Sequence, residues 1–166
     1  MFKVGDKIVH PAHGAGVVTG IETVNLLDEF SRYYIIDPIA SDIRLMVPVR
    51  MAQELGLRQA VRLREAFRAL DLLGKPPTPL PEDYKERQAQ IEERLKDGDF
   101  VAVTEVVRDL YWLEREGSLT AKDTSLLDRA RQLLVGELAV AAGIELEEAE
   151  RELQAALERR DQILER

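Results

Sequence analysis

The hydrophobic pattern of this chain changes period once, near Met51, and that change limits what it can fold into more than any other feature. Before it, the short β-branched runs KIVH (7–10), GAGVVTGIET (14–23), SRYYIID (31–37) and IRLMVPV (43–49) are separated by turn residues, as strands are. After it, apolar residues recur every three or four positions, the spacing of helices that bury one face. Four or five short strands within about fifty residues imply a small, strongly twisted barrel of the Tudor or SH3 kind. The expected fold is therefore α+β by segregation: a Tudor/SH3-like β-barrel domain over residues 1–52, then an all-α helical domain over 53–166.

The helical part has clear punctuation. Leu63, Phe67, Leu70 and Leu73 recur at helical spacing up to a stop at Gly74. KPPTPLPED (75–83) carries Pro76, Pro77, Pro79 and Pro81, which predicts a stiff extended connector. A second helix runs from about Glu82 to Gly98. A third presents Val103, Val106, Val107, Leu110 and Leu113 on one face. Thr120 and Asp123 form a capping box that opens a fourth, with Leu126, Ala130, Leu133, Leu134 and Leu138 as its stripe and Gly143 as its stop. The last, amphipathic helix carries Leu146, Ala149, Leu153, Ala156 and Leu157, and either docks on its own bundle or offers a seam to a partner.

Composition excludes several function classes. The chain has no cysteine, so disulfides, thiolate zinc sites and cysteine nucleophiles are ruled out together. No apolar run approaches the roughly 20 residues of a membrane span. The opening MFKVGDKIVH has charges where a signal peptide needs its apolar core, and a cytoplasmic protein is expected. The formal net charge is -8, and the stretch from Glu145 to Arg166, with eight acids and four bases, accounts for half of it. This balance argues against bulk electrostatic gripping of nucleic acid, because phosphate binding needs Lys and Arg. Any DNA contact must be local, or supported by a protein that supplies most of the affinity.

The segment VGDKIVHPAHGAGVV (4–18) sets His10 and His13 beside Gly14 and Gly16. A zinc site needs three or four ligands, and the chain has no third histidine. No G-K-[ST] follows, so the loop is not a Walker cradle. It reads as hairpin punctuation, with no metal and no cofactor expected. Carboxylates are abundant but fall on helix faces among arginines at i,i+4 spacing, without an identifiable nucleophile and base, so an enzyme is not expected. Two roles are open to Tyr84. It follows the proline run with Lys85 and Arg87 beside it, and either stacks on a nucleic-acid base or packs on the prolines. Trp112 sits at the edge of an apolar stripe and reads first as a helix-packing residue, with a partner or DNA contact as the alternative.

MFKVGDKIVHPAHGAGVVTGIE, then LMVPV, then GDFVAVTEVVRDLYWLEREGSLTAKDTSLLDRARQLLVGELA resemble, in that order, the CarD/CdnL family of bacterial transcription regulators. The N-terminal part is also similar to the RNA polymerase-interacting domain of the transcription-repair coupling factor. The resemblance implies a Tudor-like domain that binds the RNA polymerase β subunit, partly by sheet-to-sheet contact. It also implies a helical domain that meets promoter DNA at the upstream edge of the melted bubble and stabilises the open complex. The contact so implied lies in the minor groove and is independent of sequence, and the acidic balance of this chain predicts that it is weak.

Counting back from DGD at 97–99, the family's wedge tryptophan corresponds to Tyr84, which keeps a flat face but offers less stacking area. Lys85, Arg87 and Lys122 complete the expected DNA-facing set. Met46 resembles a family contact on the last strand. Arg32 and Arg44 join it as polymerase-facing candidates because their strands should face the partner. A monomer is expected. The alternative is a protein-only adaptor on RNA polymerase that makes no productive DNA wedge.

Overall fold

The computed structural model describes residues 1–26 and 29–164, and its architecture is α+β, an antiparallel sheet followed by helices. The strands β1 (Lys7–His10), β2 (Gly14–Leu26), β3 (Glu29–Pro38) and β4 (Leu45–Pro48) form a meander. β5 (Arg58–Gln59) returns to the free side of β1, giving the order β4-β3-β2-β1-β5. The sheet thus draws on chain beyond residue 52, where the sequence placed its end. A two-residue strand is too short to show a period.

One face of the sheet buries Ile8, Val18, Tyr34, Ile36 and Val47, and Ala52 and Leu57 close over it from the segment between β4 and β5. Tyr34 is fully buried and still satisfied, because the Phe2 N–H donates to its hydroxyl at 3.0 Å. The register of β2 against β3 shifts between Val18 and Gly20, a bulge that increases local twist. Gly16 permits close approach of the two strands: a Cβ there would lie 2.6 Å from the Asp37 carbonyl oxygen.

Five α-helices follow among the described residues: α1 (Leu63–Leu73), α2 (Tyr84–Asp97), α3 (Phe100–Arg115), α4 (Ala121–Ala142) and α5 (Leu146–Leu164). Their ends are set by side chains the sequence names. Asp83 caps α2 through the Lys85 N–H, Asp99 caps α3 through the Ala102 N–H, and Thr120 and Asp123 form the expected capping box on α4. Gly98 and Gly143 end α2 and α4 in the left-handed conformation that disfavours side chains with a Cβ.

The helical core is built around α4, whose Leu126, Leu127, Ala130, Leu134 and Leu138 are buried in one cluster with residues of the other four helices. Val103, Val106, Val107 and Leu110 supply the α3 face. Ala149, Leu153, Ala156 and Leu157 supply that of α5, which therefore docks on its own bundle. Residues 165 and 166 of the acidic tail lie outside the described residues. On α1 the buried face is Ala66, Ala69 and Leu73, whereas Leu63 and Phe67 stand 47% and 58% exposed. No helix among the described residues is long and apolar enough to cross a membrane.

Candidate functional site

The residues singled out in the sequence fall in three regions: the joint between sheet and helices, the tip of α2, and the outer strand of the sheet. The joint gives the histidine–glycine loop its role. Leu133 of α4 lies against Gly14, and Gly136 brings α4 close to Ala15 and Ile39. Val140 packs with Val9 and Ala15. His10 Nδ1 accepts from the N–H groups of Ala12 and His13 at 3.0 and 3.3 Å, so it must carry a lone pair. Burial and the neighbouring His13 hold the His10 imidazole below its usual value, in keeping with that neutral acceptor.

Arg58 on β5 locks the joint. Its Nη1 and Nη2 donate to the Glu137 carboxylate at 2.8 and 2.6 Å, and Nε and Nη2 also donate to the Gly98 carbonyl oxygen. Glu137, nearly inaccessible, additionally accepts from the Val61 N–H at 2.9 Å. The sheet, the α2–α3 turn, the entry to α1 and α4 thus meet at one ion pair. No pattern in the sequence marks these two residues. They lie 79 positions apart and are joined only by folding.

At the tip of α2, the connector is strapped down. The Thr78 N–H donates to Asp109 Oδ1 at 2.9 Å, and Arg108 Nη2 donates to the Thr78 hydroxyl at 3.1 Å. Arg87, expected to face DNA, is instead buried, with only 5% of its surface accessible. Its Nε and Nη2 donate to the two carboxylate oxygens of Asp123 at 3.2 and 2.6 Å, and its Nη1 donates to the Pro81 and Glu82 carbonyl oxygens. Every guanidinium nitrogen is engaged, so Arg87 is removed from the DNA-facing set and holds the tip in place. The physical reason is the bidentate fit of guanidinium to carboxylate, which a phosphate outside the fold cannot reach.

Asp123 is fully inaccessible. Burial works to raise its pKa, but hydrogen bonds from Arg87, Thr120 and Gln88 outweigh it and hold the carboxyl below its ordinary 3.8. Gln88 Nε2 also donates to the Thr120 hydroxyl at 3.0 Å, so the first turns of α2 and α4 are tied side by side. Tyr84 stands on this tip 51% exposed, with the Lys85 ammonium 6.0 Å from its ring centroid. Lys122, on the first turn of α4, is exposed and paired with Glu92 at 2.9 Å. The structure brings Tyr84, Lys85 and Lys122 to one end of the bundle, among Glu82, Asp83, Glu86 and Glu92. Trp112 is half-buried on α3.

The outer strand is β4, which pairs only with β3 among the described residues. Met46 pairs with Ile35, on the face opposite Tyr34, Ile36 and Val47, and is 50% exposed. Arg44 enters β4 with its guanidinium on Asp37 at 3.0 and 3.4 Å, an exposed pair. Arg32, on β3, lies at the other end of β4, beside Arg50 and Met51 in a depression of about 430 Å³. At about 3.3 Å per residue, Arg44 and this depression flank roughly 13 Å of strand edge left unpaired among the described residues. Ile43 and Met51, which sequence reasoning passed over, are 64% and 41% exposed next to it.

Two family models match: residues 2–61 match the CarD-like/TRCF RID domain, and residues 68–154 match the CarD C-terminal domain. The first takes in β5, and the second starts inside α1 and ends within α5. The chain is also 32% identical over 146 residues to the "Putative transcription factor YdeB" of Bacillus subtilis (strain 168), covering 87% of this chain and 94% of that protein. With both parts of the fold matched in order, and a relative aligned along nearly its whole length, the chain belongs to the CarD family.

Proposed function

We propose that this protein is a transcription regulator, not an enzyme, that anchors on the RNA polymerase β subunit and lengthens the life of the promoter open complex. Its N-terminal sheet acts as a Tudor-like module. The free edge of β4 adds to a strand of the partner by main-chain hydrogen bonds, a mode that needs shape more than any particular side chain. Met46 supplies an apolar contact, and Arg44 and Arg32 supply charge at the two ends of the edge. The helical part, from α1 onward, then presents Tyr84 to the minor groove at the upstream edge of the bubble. Lys85 and Lys122 lie on the phosphates, and the protein acts as a monomer.

The observation that carries this reading is the half-exposed Tyr84, held on the α2 tip by the buried Arg87–Asp123 pair. An aromatic presented by fixed bonds loses little entropy on stacking. The net charge of -8 makes free DNA affinity poor. Tethering to polymerase raises the effective concentration of such a contact to roughly millimolar, so a weak contact suffices.

The test is the dissociation half-life of open promoter complexes formed with the cognate polymerase. Adding the protein is expected to lengthen it several-fold, and Tyr84→Ala to remove most of that gain without loss of polymerase binding. Tight, sequence-selective binding of DNA by the isolated protein would overturn the proposal. A protein-only adaptor is the second reading, favoured by the exposed acidic face of α5. It predicts that Tyr84→Ala leaves the half-life unchanged.

A further inference from the structure

α1 carries a wider apolar arc than the fold uses. Its Ala66, Ala69 and Leu73 enter the core, but Leu63 and Phe67 do not, and together with Leu70 they make an i, i+4, i+7 row along the helix. That row forms one wall of a groove of about 320 Å³. Leu138 and Ala142 of α4 and Ile144 also line it, and α5 makes the opposite wall with Ala149, Glu148 and Glu152. Glu148 and Glu152 are the only charged residues among those lining it. Both are exposed, and neither forms a salt bridge among the described residues.

From this geometry we infer that the groove is a docking site for a helix of another protein, with apolar anchors at i, i+4 and i+7 flanked by Lys or Arg on one side. The walls are helices whose backbone is internally bonded, so no strand can add there, and a helix laid in the groove is the fitting mode. The exposed aromatic supplies a central anchor, and the two unpaired carboxylates on one wall select a basic flank over an acidic one. Leu138 and Lys122 are sixteen positions apart on α4, so the groove and the Tyr84 tip are separated by about 24 Å along that helix. A partner can occupy the groove while the tip is engaged elsewhere.

The experiment uses the full-length, isotope-labelled protein and two synthetic peptides of about 18 residues, long enough to form helix. Both carry Leu at i, i+4, i+7 and i+11; one has Lys along one flank and the other Glu. Binding is followed by amide shifts and by calorimetry. The Lys-flanked peptide is expected to bind at micromolar affinity and to shift residues of α1 and the start of α5. Phe67→Ser, a surface change, is expected to weaken it about tenfold or more. Glu148→Lys with Glu152→Lys is expected to reverse the preference between the peptides. Binding of neither peptide, or equal binding of both, overturns the inference. So does self-association of the peptide-free protein that Phe67→Ser abolishes, since the occupant is then a second copy. A shift pattern centred on the β4 edge or the α2 tip overturns it as well.

Discussion

Arg87→Met tests whether this arginine is a structural pin or a surface cation. In the folded protein, Arg87 donates two hydrogen bonds to Asp123 and two to main-chain carbonyls, and both members of the pair are buried. Methionine restores most of the apolar volume but leaves the Asp123 carboxylate with only the Gln88 amide and the Thr120 N–H. Breaking a buried pair from one side costs about 3–5 kcal/mol, because a charge is left uncompensated. That is a large share of the 5–15 kcal/mol that holds a typical domain, and about 10 °C in Tm for a chain of this length.

The deficit also depends on pH. In the parent protein the Asp123 pKa is depressed, so its contribution is complete above the ordinary value of 3.8 and is lost as pH falls through the lower folded value. Without Arg87 the burial effect dominates and the folded pKa rises, so the variant suffers most where Asp123 must be charged. The gap between parent and variant is therefore wide at pH 7 and narrows as pH falls through the raised folded value of the variant, above 3.8, towards the depressed one of the parent. Urea unfolding followed by far-ultraviolet circular dichroism at pH 7 and pH 4 measures it. Adding Asp123→Leu to Arg87→Met should recover stability at pH 7, since no stranded charge remains. A pH 7 loss below about 1 kcal/mol, the range of exposed ion pairs, would refute the pin.

At the joint, Glu137→Ala removes the acceptor for Arg58 and for the Val61 N–H. It is expected to cost about 3 kcal/mol and to speed amide exchange in β5 and at the start of α1; a loss confined to the last turn of α4 would contradict the clamp. Gly16→Ala drives a Cβ to 2.6 Å from the Asp37 carbonyl oxygen. It should destabilise the sheet by about 2 kcal/mol or more in thermal melts, and an unchanged Tm would show that β2 and β3 can separate there. On the β4 edge, Met46→Glu should leave Tm unaltered, since the side chain is half-exposed, while abolishing capture of the β subunit in a pull-down. Retained capture would move the interface elsewhere.

Much of this molecule is legible in its order of residues. The period change near Met51, the Pro76–Pro81 connector, the Thr120–Asp123 capping box and the glycine stops at 98 and 143 are local signals. They appear in the structure because each depends on only a few adjacent residues. The site was legible only in part. Tyr84 and Lys85 at a helix start follow from the proline run and Asp83. Arg87 reads like its neighbours, because a sequence shows a guanidinium's charge but not the carboxylate it will meet 36 positions away. β5 and the Arg58–Glu137 clamp escape for the same reason. On α1, Leu63, Phe67 and Leu73 share one spacing, yet only Leu73 is buried. Amphipathic period determines that a face is apolar. Which part of that face is covered depends on where α4 and α5 lie, and long-range packing alone decides it.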